Sequence, residues 1–310
     1  LDELDIRIVR ELAQGRHEGL AWGEINPSYR EIGMKLGVSR ETVRDRVEKM
    51  SRSGFLKVFP IQVNPSLLGL KLGALAVDVP NTTRKVELLE ELSLVDGMVL
   101  VVTHVGGMIG MSFYYEDEKA RDKKIRLIVS ISGGKMWKFT AQQVPRCGIV
   151  LSPRDWQIVA ALQRRKMRAT SKIAAELGVS VRTLKRRTKR MIDGMAISTI
   201  VSTAEGFMGA GVIGNLQVEY SSAKARPETE RDLLHELDSR LIFAGLWESF
   251  SLFTLVLPSI PAASQILEKV RRAKGVAQAR LDLIEERVEV YSTLMECVER
   301  KLKNSTPRAT

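Results

Sequence analysis

Residues 30–50 read REIGMKLGVSRETVRDRVEKM, and residues 171–191 read SKIAAELGVSVRTLKRRTKRM. The two stretches share a frame. Ile32, Leu36, Gly37-Val38-Ser39, Thr42, Arg46 and Met50 return as Ile173, Leu177, Gly178-Val179-Ser180, Thr183, Arg187 and Met191. In each, an apolar-periodic run stops at a glycine suited to end a helix. A serine suited to cap the next helix follows two residues later. Working outward, Asp5-Ile6-Arg7-Ile8-Val9 with Leu12 recurs as Asp155-Trp156-Gln157-Ile158-Val159 with Leu162. Gly54 and Gly69 likewise recur as Gly194 and Gly209. The reading is a unit of about 145 residues written twice, the first copy carrying a longer loop around 17–27.

Each unit has a helical front and a mixed back. In the first, Leu4, Ile8, Val9 and Leu12 define one helix, Tyr29–Leu36 a second, and a third follows Ser39 with Val43, Val47 and Met50 inward. Phe55–Val63 alternates as a short ribbon. Strand Leu70–Val79, helix Thr83–Leu94, two strands around Gly106-Gly107, helix Lys119–Ile131 and strand Lys135–Val144 complete it. The second back half reads as strand Gly211–Tyr220, helix Glu228–Ser239, strands Leu241–Ser249 and Phe250–Leu257, helix Ala262–Ala273 and strand Val276–Tyr291, then a helical tail. The order β-α-β-β-α-β is the split, ferredoxin-like arrangement. The fold class expected is therefore α+β, with helical modules at 1–60 and 150–200 alternating with βαββαβ domains at 61–149 and 201–310.

Composition excludes several classes. Of 310 residues, 44% are hydrophobic and 27% charged, which suits folded domains and not a disordered chain. Cys147 and Cys297 are the only cysteines and lie far apart, so neither a disulfide framework nor a zinc site is expected. Leu1-Asp2-Glu3-Leu4-Asp5 is acidic where a secretory leader would be basic. The uncharged run Gly97–Tyr115 is long, but its glycines and His104 read as a buried hairpin and not a spanning helix. A cytoplasmic location, with no membrane partner, is the expectation.

The net charge of +11 is unevenly placed. Residues 152–194 hold 12 basic and 3 acidic side chains, whereas residues 1–60 hold 11 and 10. Such concentration suggests a polyanion partner, double-stranded DNA in the first instance. Arg182, Lys185, Arg186, Lys189 and Arg190 should project from a third helix of the kind that enters a major groove. Ser180 and Thr183 sit at its start, where free amides could hold a phosphate. In the first module the same positions bring Ser39, Arg40, Glu41, Thr42 and Arg44, with Asp45 and Glu48 nearby. The second module should supply most DNA affinity. The first is either a weak selective reader or a structural or partner-binding copy.

These residues resemble the Lrp/AsnC (leucine-responsive, feast/famine) transcription regulators over nearly the whole chain, twice. Leu1-Asp2-Glu3-Leu4-Asp5-Ile6 is similar to that family's first helix, and Tyr29-Arg30-Glu31-Ile32-Gly33 through Ser39 to its helix-turn-helix. The most specific stretch, Gly54-Phe55-Leu56 through Asn64-Pro65-Ser66-Leu67-Leu68-Gly69-Leu70, resembles the linker into its effector domain. Glu205 replaces the proline in the second copy. The resemblance implies winged helix-turn-helix domains, regulatory βαββαβ domains and self-association through their sheets. It also leaves open a small-molecule effector near His104, Gly107 and Met108. Gly110 stands near where amino-acid-binding members carry an acid, so an amino-acid effector is not implied.

Catalytic residues are not expected. His17, His104 and His235 are scattered, and no phosphate-cradling glycine motif is followed by Lys-Ser/Thr. No cofactor or metal is called for. Trp22, Trp137, Trp156 and Trp247 read as packing, and Met108, Met111 and Met208 as core filling. Two alternatives remain. Sirohaem decarboxylases look like the same duplicated layout, although His104 alone would have to serve for their histidine- and arginine-rich stretches. An architectural DNA-binding protein without sequence preference is the other.

Overall fold

Ser28, Ser39, Ser152 and Ser180 begin helices by one device. Each hydroxyl accepts the backbone N–H three residues on, from Glu31, Thr42, Asp155 and Thr183 at 3.0–3.3 Å. In this computed structural model, residues 1–14, 28–56, 61–164, 170–199, 211–247 and 250–305 are described. The first three helices are α1 (Glu3–Gln14), α2 (Tyr29–Leu36) and α3 (Arg40–Arg52). After them come β1 (Ile61–Val63), β2 (Lys71–Asp78), α4 (Lys85–Ser93), β3 (Met98–His104), β4 (Met108–Tyr115), α5 (Glu118–Ser132) and β5 (Lys135–Gln142). A second run repeats the order: α6 (Pro153–Gln163), α7 (Thr170–Glu176), α8 (Val181–Asp193), β6 (Ile197–Thr199), β7 (Val212–Tyr220), α9 (Arg226–Glu236), β8 (Leu241–Leu246), β9 (Phe250–Leu257), α10 (Ile260–Arg271) and β10 (Val276–Glu289). Helix α11 (Ser292–Ser305) closes it. Gly37 (φ 70°) and Gly178 (φ 61°) end α2 and α7 in the left-handed region, which explains a glycine at both positions.

Element ends differ from expectation where local turns compete. Helix α4 starts at Lys85, not Thr83, because Thr82–Arg84 form a 3-10 turn capped by Asn81. Helix α9 stops at Glu236, and Asp238–Arg240 form another such turn. Strand β8 ends at Leu246. Among the described residues, no helix is long and apolar enough to cross a membrane. His17, Trp22, Glu205, Met208 and Gly209 lie outside the described residues.

The chain divides into two units that do not follow the halves of the sequence. One comprises Leu1–Lys57, Val102–Met108 and Val201–Arg287. It therefore joins α1–α3 to the later sheet, whose antiparallel strands run β10-β7-β9-β8. Helices α9 and α10 cover that sheet through Leu233, Ala263 and Val270 against Leu216, Phe253 and Leu255. Helix α1 is apolar on more than one side because it has two neighbours. It packs on α2 and α3, and also on β8 and the turn after α9. Arg10 fixes that second contact, its Nη1 lying 2.6 Å from Asp238 Oδ1 and donating to the Asp238 carbonyl.

The other unit comprises Val58–Val101, Ile109–Ile200 and Val288–Thr310. Its strands run β5-β2-β4-β3, with α4 and α5 packed on Leu75, Val77, Met98, Ile109 and Phe113. Helices α6–α8 belong here, and α11 packs on α6 with Arg164 paired to Glu299 at 3.3 Å. The ribbon expected over Phe55–Val63 is not a wing closed on its own module, as far as the described residues go. Ile61–Val63 pairs with Ile197–Thr199 instead, because Val63 and Ile197 are thereby fully buried. Asn64 clasps this joint. Its N–H donates to Ala196 O, its amide to Pro145 O and Met195 O at 2.8 Å, and its Oδ1 accepts from Ser66. That is the physical content of the Asn64-Pro65-Ser66 stretch.

Candidate nucleic-acid interface

Helix α8 is held from behind by a buried carboxylate. Asp155 on α6 is fully buried and accepts from Ser152 N and Oγ. It also pairs with Arg187 at 2.9 Å and with Arg190. Burial by itself would raise the Asp155 pKa, but the Ser152 bonds and the two guanidinium groups outweigh it, leaving the carboxyl below its ordinary range. Helix α3 has the same anchor, Arg46 bonding Asp2 and Asp5, with Asp5 buried. The repeated Asp and Arg are thus one inward ion pair made twice.

The outward face of α8 is different. Arg182, Lys185 and Arg186 are exposed, and no carboxylate among the described residues pairs with them. Two expected contributors are already engaged. Arg190 reaches back to Asp155, and Lys189 pairs with Asp193 one turn on at 2.9–3.0 Å. Among the described residues the cations without a carboxylate partner are therefore narrower than the sequence reading: Arg182, Lys185 and Arg186. Arg165, Lys166 and Arg168 of the basic segment lie outside the described residues. Ser180 Oγ is not spare either; it accepts the Thr183 N–H and shares a 3.0 Å hydrogen bond with Thr183 Oγ1. Ser39 and Thr42 repeat this arrangement.

The placement of Arg182 opposes helix stability. No acid occupies the first turn of α8, where the helix dipole favours negative charge. Arg182 also faces Arg186 at i+4, a repulsive spacing. An anion at this face relieves both penalties. Replacing Arg182 with Glu should therefore stabilise the protein alone by roughly 0.5–1 kcal/mol, read by urea unfolding under circular dichroism. No gain would mean that Arg182 has a compensating partner.

In α3, Arg44 bonds Asp45 at 2.9–3.0 Å and Arg52 bonds Glu48 at 2.9 Å. Arg40 and Glu41 are exposed. Two shallow depressions mark this module, one lined by Asp45, Glu48, Lys49 and Arg52, the other by Ser28, Tyr29, Arg30 and Arg40. The three effector candidates line neither. His104 and Met108 are buried, and Gly107 lies at the turn. Asn215 Nδ2 lies 3.2 Å from His104 Nε2, and Thr254 donates to Asn215 Oδ1 at 2.9 Å. Burial, aided by Arg280, lowers the His104 pKa against the opposing pull of Asp282, Met108 and Glu285, so the ring is neutral at pH 7. His235 is exposed. Trp156 is buried and Trp247 stacks on Phe250 at 4.7 Å, but Trp137 is 39% exposed and is not core packing.

The frame of a capped third helix behind a Gly-Val-Ser turn has a match among known domains: a family model for the AsnC-type helix-turn-helix domain fits residues 1–51. Residues 1–51 are thus similar to an AsnC-type helix-turn-helix domain. The chain is 44% identical over 100 residues to an uncharacterised HTH-type transcriptional regulator of Pyrococcus furiosus. It is 32% identical over 99 residues to the HTH-type transcriptional regulator Ptr1 of Methanocaldococcus jannaschii. These matches cover 31% and 32% of this chain, and span 61% of each relative's length. Over nearly its full length the chain shares a fold with the siroheme decarboxylase NirDL: TM-score 0.54 at 14% identity, covering 97% of this chain and 98% of that one.

Proposed function

We propose that the chain is a sequence-selective, DNA-binding transcription regulator of the Lrp/AsnC type, built as a tandem duplication. Helix-turn-helix modules occupy 1–60 and 150–200, and regulatory βαββαβ domains occupy 61–149 and 201–310. Helix α8 reads the major groove of double-stranded DNA and, with Arg182, Lys185 and Arg186, supplies most phosphate contacts. In the first module the corresponding surface is Ser39, Arg40, Glu41, Thr42 and Arg44. The sheet domains carry self-association and accept any effector, and the protein works in the cytoplasm. The observation that carries this reading is the trio of outward cations, without a carboxylate partner among the described residues, on a helix whose remaining cations are paired with Asp155 or Asp193. The regulator names of the relatives support it. Footprinting across the protein's own upstream region, at two salt concentrations and beside random duplex, tests it. Selective protection that survives the higher salt is expected. Equal protection of all sequences would instead favour an architectural DNA-binding protein.

One observation favours a second reading, an enzyme acting on a tetrapyrrole: the full-length likeness in fold to NirDL. Against it stands His104, packed as a neutral ring in the Thr254–Asn215 chain. Titration with iron-uroporphyrin III should leave the porphyrin spectrum unshifted. A saturable shift of its main band would restore the enzyme reading.

A further inference from the structure

Helices α3 and α8 are presented by the same frame. Ser39 and Thr42 cap α3 as Ser180 and Thr183 cap α8. Val43 and Met50 are buried as Leu184 and Met191 are, and Arg46 turns inward to Asp5 as Arg187 does to Asp155. Aligned by that frame, the outward residues invert. Glu41 stands where α8 has Arg182, Asp45 where it has Arg186, and Glu48 where it has Lys189. Spacings of four and three residues put all three on one stripe of the helix. All six side chains are exposed.

We propose that Glu41, Asp45 and Glu48 are specificity-determining residues that hold the first module off the DNA backbone, so that a chain grips duplex DNA through α8. This rests on the DNA-binding reading above and adds which residues make the grip one-sided. A phosphate approaching α3 meets three carboxylates along the line where α8 offers cations. Two of the nearby cations are already answered, Arg44 by Asp45 and Arg52 by Glu48, while Arg40 and Lys49 are exposed. Asp45 also raises the pKa of Arg44 by hydrogen bonding and by charge. Phosphate contact by either arginine must displace its own carboxylate and leave it facing the backbone, so little counterion release remains as driving force.

The test uses the full chain and a random-sequence duplex long enough for two major-groove contacts. Glu41→Arg/Asp45→Arg/Glu48→Lys writes the α8 stripe onto α3. Asp45→Asn/Glu48→Gln removes charge with little change of shape. The expected result is a salt slope steeper by about two to three in the first variant, at ~0.9 per phosphate neutralised. A longer protected stretch should accompany it, and the second variant should change in the same direction by less. Arg44→Ala added to the neutralised variant should lower its slope again. Circular dichroism melts confirm that each variant is folded. Unchanged slope and footprint in both folded variants would overturn the proposal. A wild type that protects no duplex at all is a separate result; it removes the DNA-binding reading, and this inference with it.

Discussion

Lys185→Ala with Arg186→Ala should weaken DNA binding about 10- to 50-fold near physiological salt and lower the salt slope by about two. Both side chains are exposed and neither has a carboxylate partner among the described residues, so truncation removes no internal ion pair. Leu184, beside them, carries the packing of that turn and is untouched. Stability should accordingly stay within about 0.5 kcal/mol of wild type, or rise as repulsion along the helix is relieved. The measurement is fluorescence anisotropy with labelled duplex over a salt series. Affinity and slope both unchanged would mean that α8 is not the phosphate-binding element. A uniform loss across sequences is expected if the pair contacts backbone, whereas loss confined to preferred sites would assign these residues to base edges.

Asp155→Asn should have the opposite profile, a large loss of stability that takes DNA binding with it. The carboxylate is the common anchor of Arg187, Arg190 and the Ser152 cap. An amide of the same shape cannot accept from all of them, and two guanidinium groups lose their counter-charge. Breaking a fully buried pair costs about 3–5 kcal/mol. Arg187 and Arg190 keep partial access to water, so about 2–3 kcal/mol is the appropriate scale here. Urea unfolding followed by helical circular dichroism measures it. The same anchor predicts the acid limb. A carboxyl held below its ordinary value stabilises the fold fully above the unfolded value, 3.8, and that stability is lost as pH falls through the lower folded value. The limb should therefore begin near pH 4 and deepen below it, and Asp155→Asn should flatten it. Wild-type stability and wild-type acid response in that variant would show that α6 and α8 are joined by packing alone.

The wild-type pattern around Asp155 also shows why the interface was only partly legible beforehand. Charge density singled out one helix as the candidate, since the excess is written into a single segment. It did not separate Arg186, which has no carboxylate partner among the described residues, from Arg187 and Arg190, which are held by a carboxylate 32 and 35 residues earlier. Helical periodicity distinguishes faces and not partners. The recurrence of Asp5 with Arg46, and of Asp155 with Arg187, was the available signal: a charged pair repeated together in two otherwise divergent copies. Asn64 was similarly visible only as part of a motif. Its role depends on carbonyls of Pro145 and Met195, which no local pattern connects to it.

From sequence alone came the order of elements, the caps at Ser39 and Ser180, the glycine stops at Gly37 and Gly178, and the helix that carries the positive charge. These are set by backbone conformation and by side-chain spacing within a few residues, which the chain specifies locally. Tertiary structure decided that α1–α3 share a unit with the later sheet, that Ile61–Val63 pairs with Ile197–Thr199, and which arginines remain outward. Each of those depends on groups far apart in the chain competing for the same buried surface or the same carboxylate. That competition is resolved only when the chain has closed on itself.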